Sequence, residues 1–123
     1  MNEDVRVLLL EDEALIALEI EDGLAAAGFH QVVSVPSQAS ASAWLAENQP
    51  HVAILDLFLR DGESLPVIEE LRRRAIPFVI HSGYDKPHDW HLGPYRNSIW
   101  LEKPCHMEDL VRAVQDQLSA RCG

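Results

Sequence analysis

Short apolar runs alternate along this chain with longer stretches of helical periodicity. Val5 to Leu10 is apolar except at Arg6, as befits a strand buried on both faces of a sheet. Ala14 to Ala27 has helical spacing through Leu15, Leu18 and Leu24, and Gly28 stands where a C-terminal cap belongs. Gln31 to Val35 predicts a second, shorter strand. Ser37 is placed to N-cap a helix over Gln38 to Glu47 that turns Trp44 and Leu45 inward. Pro50 ends that stretch, and Val52 to Asp56 predicts a third strand. After a turn at Asp61-Gly62, Ser64 is placed to cap a helix that opens on Leu65-Pro66 and runs to about Arg74. Pro77 precedes a fourth strand, Phe78 to His81. Ser98 to Leu101 makes a fifth, and Glu108 to Ala120 a closing helix with Leu110, Val111, Val114 and Leu118 on one face.

Strands alternating with helices in this way imply βαβ units, a parallel sheet and right-handed crossovers. One stretch breaks the alternation. A helix is due between the fourth and fifth strands, but Pro87, Gly93 and Pro94 interrupt it, and proline inside a helix costs about 3 kcal/mol. At most a short turn near His88 to Leu92 survives, so Gly83 to Asn97 is expected to be mostly irregular.

With 123 residues the chain fits one domain, residues 1–123, and contains no linker, repeat or low-complexity tract. Its net charge of −10 argues against direct binding to a nucleic-acid backbone, which needs clustered Lys and Arg. The one basic run, Arg72-Arg73-Arg74, falls at a predicted helix end, where cations complement the helix dipole, and reads as structural. Cys105 and Cys122 are too few for a disulfide framework, and no basic cluster adjoins either to activate it. No signal peptide and no membrane span are legible, so the expected location is the cytoplasm.

Four of the apolar runs end in polar, reactive residues: Glu11-Asp12, Asp56, His81-Ser82 and Glu102-Lys103-Pro104. Open parallel sheets bind ligands beyond the carboxyl ends of their strands, which would bring these endings together. Glu11, Asp12 and Asp56 then suit Mg2+, a cation that takes oxygen ligands and is usually held by a few carboxylates plus a phosphate. Asp56 stands alone at the end of the central run and is the natural nucleophile, since aspartate carboxylates accept phosphoryl groups. Phosphoryl transfer needs the charge on the peripheral oxygens stabilised. A metal serves one oxygen, the Ser82 hydroxyl a second and the Lys103 ammonium a third. A cis peptide at Lys103-Pro104 would aim that ammonium back at the site. His88 and His91 have the i, i+3 spacing of a metal pair but no third ligand nearby, and read as a polar loop.

Leu10-Glu11-Asp12-Glu13, Leu55-Asp56-Leu57, His81-Ser82-Gly83-Tyr84 and Leu101-Glu102-Lys103-Pro104 resemble the receiver domain of two-component response regulators. The likeness covers essentially the whole chain. Phe78 to Tyr84 further resembles the branch marked by a Phe-Ala-Thr-Gly-Tyr-like motif, which tends to have an irregular fourth helix. The resemblance implies a flavodoxin-like, doubly wound α/β fold whose five parallel strands lie in the order 2-1-3-4-5. It implies that Asp56 accepts a phosphoryl group from a sensor histidine kinase or a histidine phosphotransfer protein. Glu11, Asp12, Asp56 and the Phe58 backbone carbonyl would hold Mg2+. Ser82 would be the switch hydroxyl, Lys103 the phosphate partner and Trp100 the switch aromatic. Three positions depart from the commonest pattern: Ser82 replaces Thr, Trp100 replaces Tyr or Phe, and Cys105 stands where the branch has an aromatic.

The expected function is thus a stand-alone phosphoacceptor, not an enzyme acting on metabolites, whose changed surface around Gly83–Trp100 is read by a separate protein. A phosphate sink that drains a kinase has the same chemistry. An Asp-nucleophile phosphohydrolase would have a second Asp two residues after the first, and Phe58 stands there instead. A degenerate adaptor would have lost part of the set that Asp56, Ser82, Lys103, Glu11 and Asp12 keep whole.

Overall fold

The computed structural model describes residues 2–122, without the side chains of Arg121 and Cys122. The expectation for the Cys122 thiol therefore falls outside the described residues. Five strands form one parallel sheet: β1 (Arg6–Leu10), β2 (Gln31–Val35), β3 (Val52–Leu55), β4 (Phe78–Ser82) and β5 (Ile99–Glu102). Their order is β2-β1-β3-β4-β5. Successive side chains of a strand point to opposite faces, so an apolar run feeds two cores at once. Leu8, Leu10, Ala53, Leu55, Phe78 and Ile80 face one side and pack with α2 (Gln38–Glu47) and α3 (Leu65–Arg73). Val7, Leu9, Val52, Ile54 and Val79 face the other, beneath α1 (Ala14–Ala26) and α4 (Met107–Cys122). Burying each Leu or Ile completely contributes about 1.5–3 kcal/mol.

Local sequence accounts for the helix ends. Past α1, Gly28 takes φ +96°; its N–H donates to Ala25 O (3.0 Å), and that of Phe29 donates to Leu24 O (2.9 Å). This is the Schellman arrangement, with Leu24 and Phe29 meeting in the core. The same pair of bonds closes α3, where Ala75 occupies the left-handed position at φ 57°. Ser37 caps α2 in a reciprocal box with Ser40. The Asp61 carboxylate accepts from the N–H groups of Gln38 and Ala39 at 2.9 and 3.0 Å, and these bonds hold its pKa below the ordinary carboxylate value. Within the Arg72–Arg74 run, Arg73 and Arg74 are structural: both pair with Glu70, and Arg74 also donates to the Leu45 and Asn48 carbonyls at the end of α2.

At three places the structure corrects or adds to what the spacing predicts. The inward face of α1 is formed by Ala17, Ile20 and Leu24, while Leu15 (76% exposed) and Leu18 (54%) point outward. The helix is apolar on more than one side; Glu19 and Asp22, one turn beyond Leu15 and Leu18, must stay in water and settle its rotation. Ser64 precedes α3, but its side chain makes no capping bond. Finally, the turn near Asp61 belongs to a small antiparallel ribbon, Phe58–Leu59 with Gly62–Glu63, that was not foreseen. Between β4 and β5 the chain is irregular except for a single 3-10 turn, Trp90–Leu92.

Candidate functional site

The register of the central strands sets the site. Leu10 is level with both Val35 and Leu55. The next residues continue the ladder: Glu11 N–H donates to Val35 O and Asp56 N–H to Leu10 O, each at 3.1 Å. The first acidic residues after β1 and β3 are therefore held by backbone bonds at one edge of the sheet. One carboxylate oxygen from each of Glu11, Asp12 and Asp56 lies within 4.8 Å of the others. Among the described residues this is the one cluster of three such ligating groups.

Lys103 arrives from the far edge. Its N–H donates to Ser82 O (2.7 Å), extending the β4–β5 pairing, and the Lys103–Pro104 peptide is cis. The ammonium bridges Glu11 Oε1 at 2.9 Å and Asp56 Oδ2 at 2.8 Å. These side chains are only 1% (Glu11), 12% (Asp56) and 16% (Lys103) exposed, so they interact where water screens poorly. Burial by itself lowers the Lys103 pKa, but the hydrogen bonds and charges of Asp56 and Glu11 outweigh it and the net shift is upward. The ammonium thus stays charged, and one cation partly offsets three carboxylates. Glu11 Oε2 also accepts the Glu13 N–H (3.1 Å), while Asp56 Oδ1 has the longer contact, 3.4 Å from Phe58 N.

Ser82 is fully buried, and its hydroxyl oxygen accepts from Tyr84 N–H (3.1 Å). It lies on the strand beside Lys103, yet no hydrogen bond joins its side chain to the carboxylates. Trp100 is half-buried, donates through Nε1 to Tyr84 O (3.2 Å), and meets Tyr95 edge-on at 5.5 Å. The geometry therefore unites Glu11, Asp12, Asp56 and Lys103, while Ser82 and Trp100 are tied to the Tyr84 backbone. Phe58 is exposed beside the site, its ring 4.7 Å from that of Tyr84. His88 and His91 are exposed and outside the cluster. Burial, then the Asp109 charge, pushes the Cys105 thiol pKa up and disfavours a reactive thiolate.

Two neighbours have a part in this site that the sequence does not assign them. Ser64 is fully buried and its hydroxyl donates to the Asp56 backbone carbonyl, pinning the turn that carries the nucleophile. A serine before a helix reads as a cap, and nothing local marks this other role. His81 lies buried behind Lys103 with Nδ1 unpartnered; burial first, then the Lys103 charge, lower its pKa to about 4. It is neutral near pH 7 and can carry no cation to the site.

Known proteins share this arrangement of strands. A family profile described as the response regulator receiver domain matches residues 7–115. The chain is similar to the transcriptional regulatory protein PhoP of Escherichia coli (strain K12), 29% identical over 125 residues, covering 97% of this chain and 54% of that protein. It spans about half the length of the curated relatives it matches. The solution structure of SdrG from Sphingomonas melonis Fr1 is 36% identical, with a TM-score of 0.76 over 93% of this chain and 96% of that one. A response regulator receiver protein from Sinorhizobium medicae WSM419 is 30% identical, with a TM-score of 0.84 over 95% and 96%. No helix among the described residues is long and apolar enough to cross a membrane. With its sheet order, its acidic edge and a profile match over most of its length, the chain belongs to the response regulator receiver domain family.

Proposed function

We propose that this receiver accepts a phosphoryl group on Asp56 from a phosphohistidine of a sensor kinase or phosphotransfer protein. The observation that carries the reading is the Lys103 ammonium joined at once to Asp56 and Glu11 inside an all-oxygen acidic cluster. An Asp56 carboxylate oxygen forms the new bond to phosphorus as the bond to the histidine nitrogen breaks, and the imidazole leaves. Lys103 then pairs with a phosphoryl oxygen in place of the Asp56 oxygen it now holds. The Ser82 hydroxyl has its proton free to donate to another, because its present bond uses only the oxygen's acceptor capacity. The three-carboxylate donor set fits Mg2+, and Glu11, Asp12, Asp56 and the Phe58 carbonyl would hold it. Its charge offsets that of the carboxylates and the incoming phosphate.

Leu15 and Leu18, exposed on a helix that starts just after Asp12, offer an apolar landing face beside the site for the phosphodonor protein. The output is a changed surface over Gly83–Trp100, read by a separate protein. Ser82 and Trp100 both bond the Tyr84 backbone, so drawing Ser82 toward a phosphate pulls on the irregular segment from both ends.

Incubation with Mg2+ and a small phosphodonor, followed by intact-mass measurement, tests the acceptor. One phosphate should add to the chain and none to Asp56→Ala; equal gain by the variant overturns the assignment. Hydrogen exchange on the same samples should slow within Ser82–Trp100, and a change confined to α1 and α2 would refute the output surface.

A further inference from the structure

A second polar feature lies at the opposite end of the sheet, where β4 and β5 begin. Arg72, in the last turn of α3, donates from Nη1 to the Arg96 carbonyl (2.8 Å). Arg96 in turn donates from Nη1 to the Gly93 carbonyl (3.0 Å). Burial, with the Arg96 charge beside it, pulls the Arg72 pKa below its ordinary value. The chain holds twenty Asp and Glu against ten Lys and Arg. Among the described residues Arg73, Arg74, Lys103 and Arg112 pair with carboxylates, while Arg72 and Arg96, like Arg6, Arg60 and Lys86, do not; Arg72 and Arg96 differ from those three in lying side by side. A guanidinium has about five N–H donors, and each of these two spends only one on the carbonyls named. Tying the loop to α3 explains the Arg72 bond. It does not explain why a second, exposed cation is set beside the first.

Two hollows meet at this pair. One, of about 550 Å3, is floored by Ile76 and Phe78 and bounded by Asn97 and Gln117. The other, of about 670 Å3, runs along α3 past Leu65 and Glu69 to Pro94. The walls are held in place. The buried Gln117 donates from Nε2 to Phe78 O (2.7 Å) and Asn97 O (3.0 Å), fixing the loop where Asn97 takes φ 67°.

We propose that this groove docks an extended acidic segment of a partner protein, with a carboxylate between Arg72 and Arg96 and apolar side chains in the hollows on either side. A lone inorganic anion would use only the meeting point of the two hollows. A strand of chain uses both, and Glu69, in the hollow along α3, keeps its carboxylates out of that side and at the meeting point. Anion recognition by paired guanidiniums supplies geometry as well as charge.

The test uses the isotopically labelled full chain at low salt and a capped synthetic hexapeptide with two adjacent glutamates flanked by leucines. Amide shifts should move at Ile76, Phe78 and Asn97, and weaken at about 0.5 M NaCl. Arg96→Gln should weaken binding about fivefold, and Arg72→Gln by a similar factor, the ceiling for an exposed ion pair. Arg96→Glu should instead take the peptide with lysines in place of glutamates. The Arg96 variants keep the test decisive if Arg72→Gln fails to fold, because the Arg96 side chain is exposed. Equal shifts from both peptides with the parent chain, or shifts unaltered in Arg96→Gln, overturn the proposal. If inorganic phosphate alone moves the same amides as strongly, the groove is a small-anion site and the peptide reading falls.

Discussion

Replacing Lys103 with Met removes the charge and keeps an unbranched stem of similar length, so the packing around the side chain survives. The ammonium has two partners, at 2.9 Å in Glu11 and 2.8 Å in Asp56. Removing one member of a buried pair costs about 3–5 kcal/mol, since the remaining charge is stranded away from water. Two features reduce that figure here. Asp56 is 12% exposed and can recruit water, and Glu11 keeps the Glu13 N–H. The expected loss for metal-free Lys103→Met is therefore about 2–3 kcal/mol. Urea unfolding near pH 7 measures it as a lower midpoint at unchanged slope. Mg2+ should restore more stability to the variant than to the parent, because the ammonium no longer repels the incoming cation. At ten times its dissociation constant the metal adds about 1.4 kcal/mol, and the variant should reach that level at a lower concentration. A variant within about 0.5 kcal/mol of the parent would show that the bridge does not neutralise the cluster. Equal gains from Mg2+ in both proteins would separate Lys103 from the metal site.

Three smaller perturbations test other parts of the structure. Ser64→Ala strands the Asp56 carbonyl and should cost about 1–3 kcal/mol while slowing phosphorylation by a small donor; a variant that loses stability but is modified at the parent rate denies Ser64 any part in placing the nucleophile. Ala75→Gly relieves a left-handed alanine and should raise stability by about 0.5–1 kcal/mol in urea, whereas a loss would mean the Schellman turn is not strained. For His81 the unfolded chain takes a proton near pH 6.5 and the folded chain only near 4. Its contribution is complete above that window and lost as pH falls through it, roughly 3 kcal/mol in all. His81→Phe should remove this part of the acid sensitivity, so parallel stability curves for the two proteins between about pH 7 and 4 would refute it.

The chain alone determined what depends on neighbours a few residues apart. The alternation of strands and helices, the Ser37 cap, the Gly28 turn and the broken helix after β4 all follow from periodicity, capping and proline sterics. The acidic and basic endings of the strands were also legible, because a parallel sheet collects such endings at one edge. Tertiary packing decided the rest. α1 is apolar on more than one side, so only contact with the sheet could select Ala17, Ile20 and Leu24 over Leu15 and Leu18. Ser64 looked like a cap until the β3 turn came within reach of its hydroxyl, and Asp61 caps α2 across 22 and 23 positions of sequence. Lys103 is separated from Asp56 by 47 positions and from Glu11 by 92. That bridge depends on sheet register and backbone direction, and no local pattern of side chains encodes either.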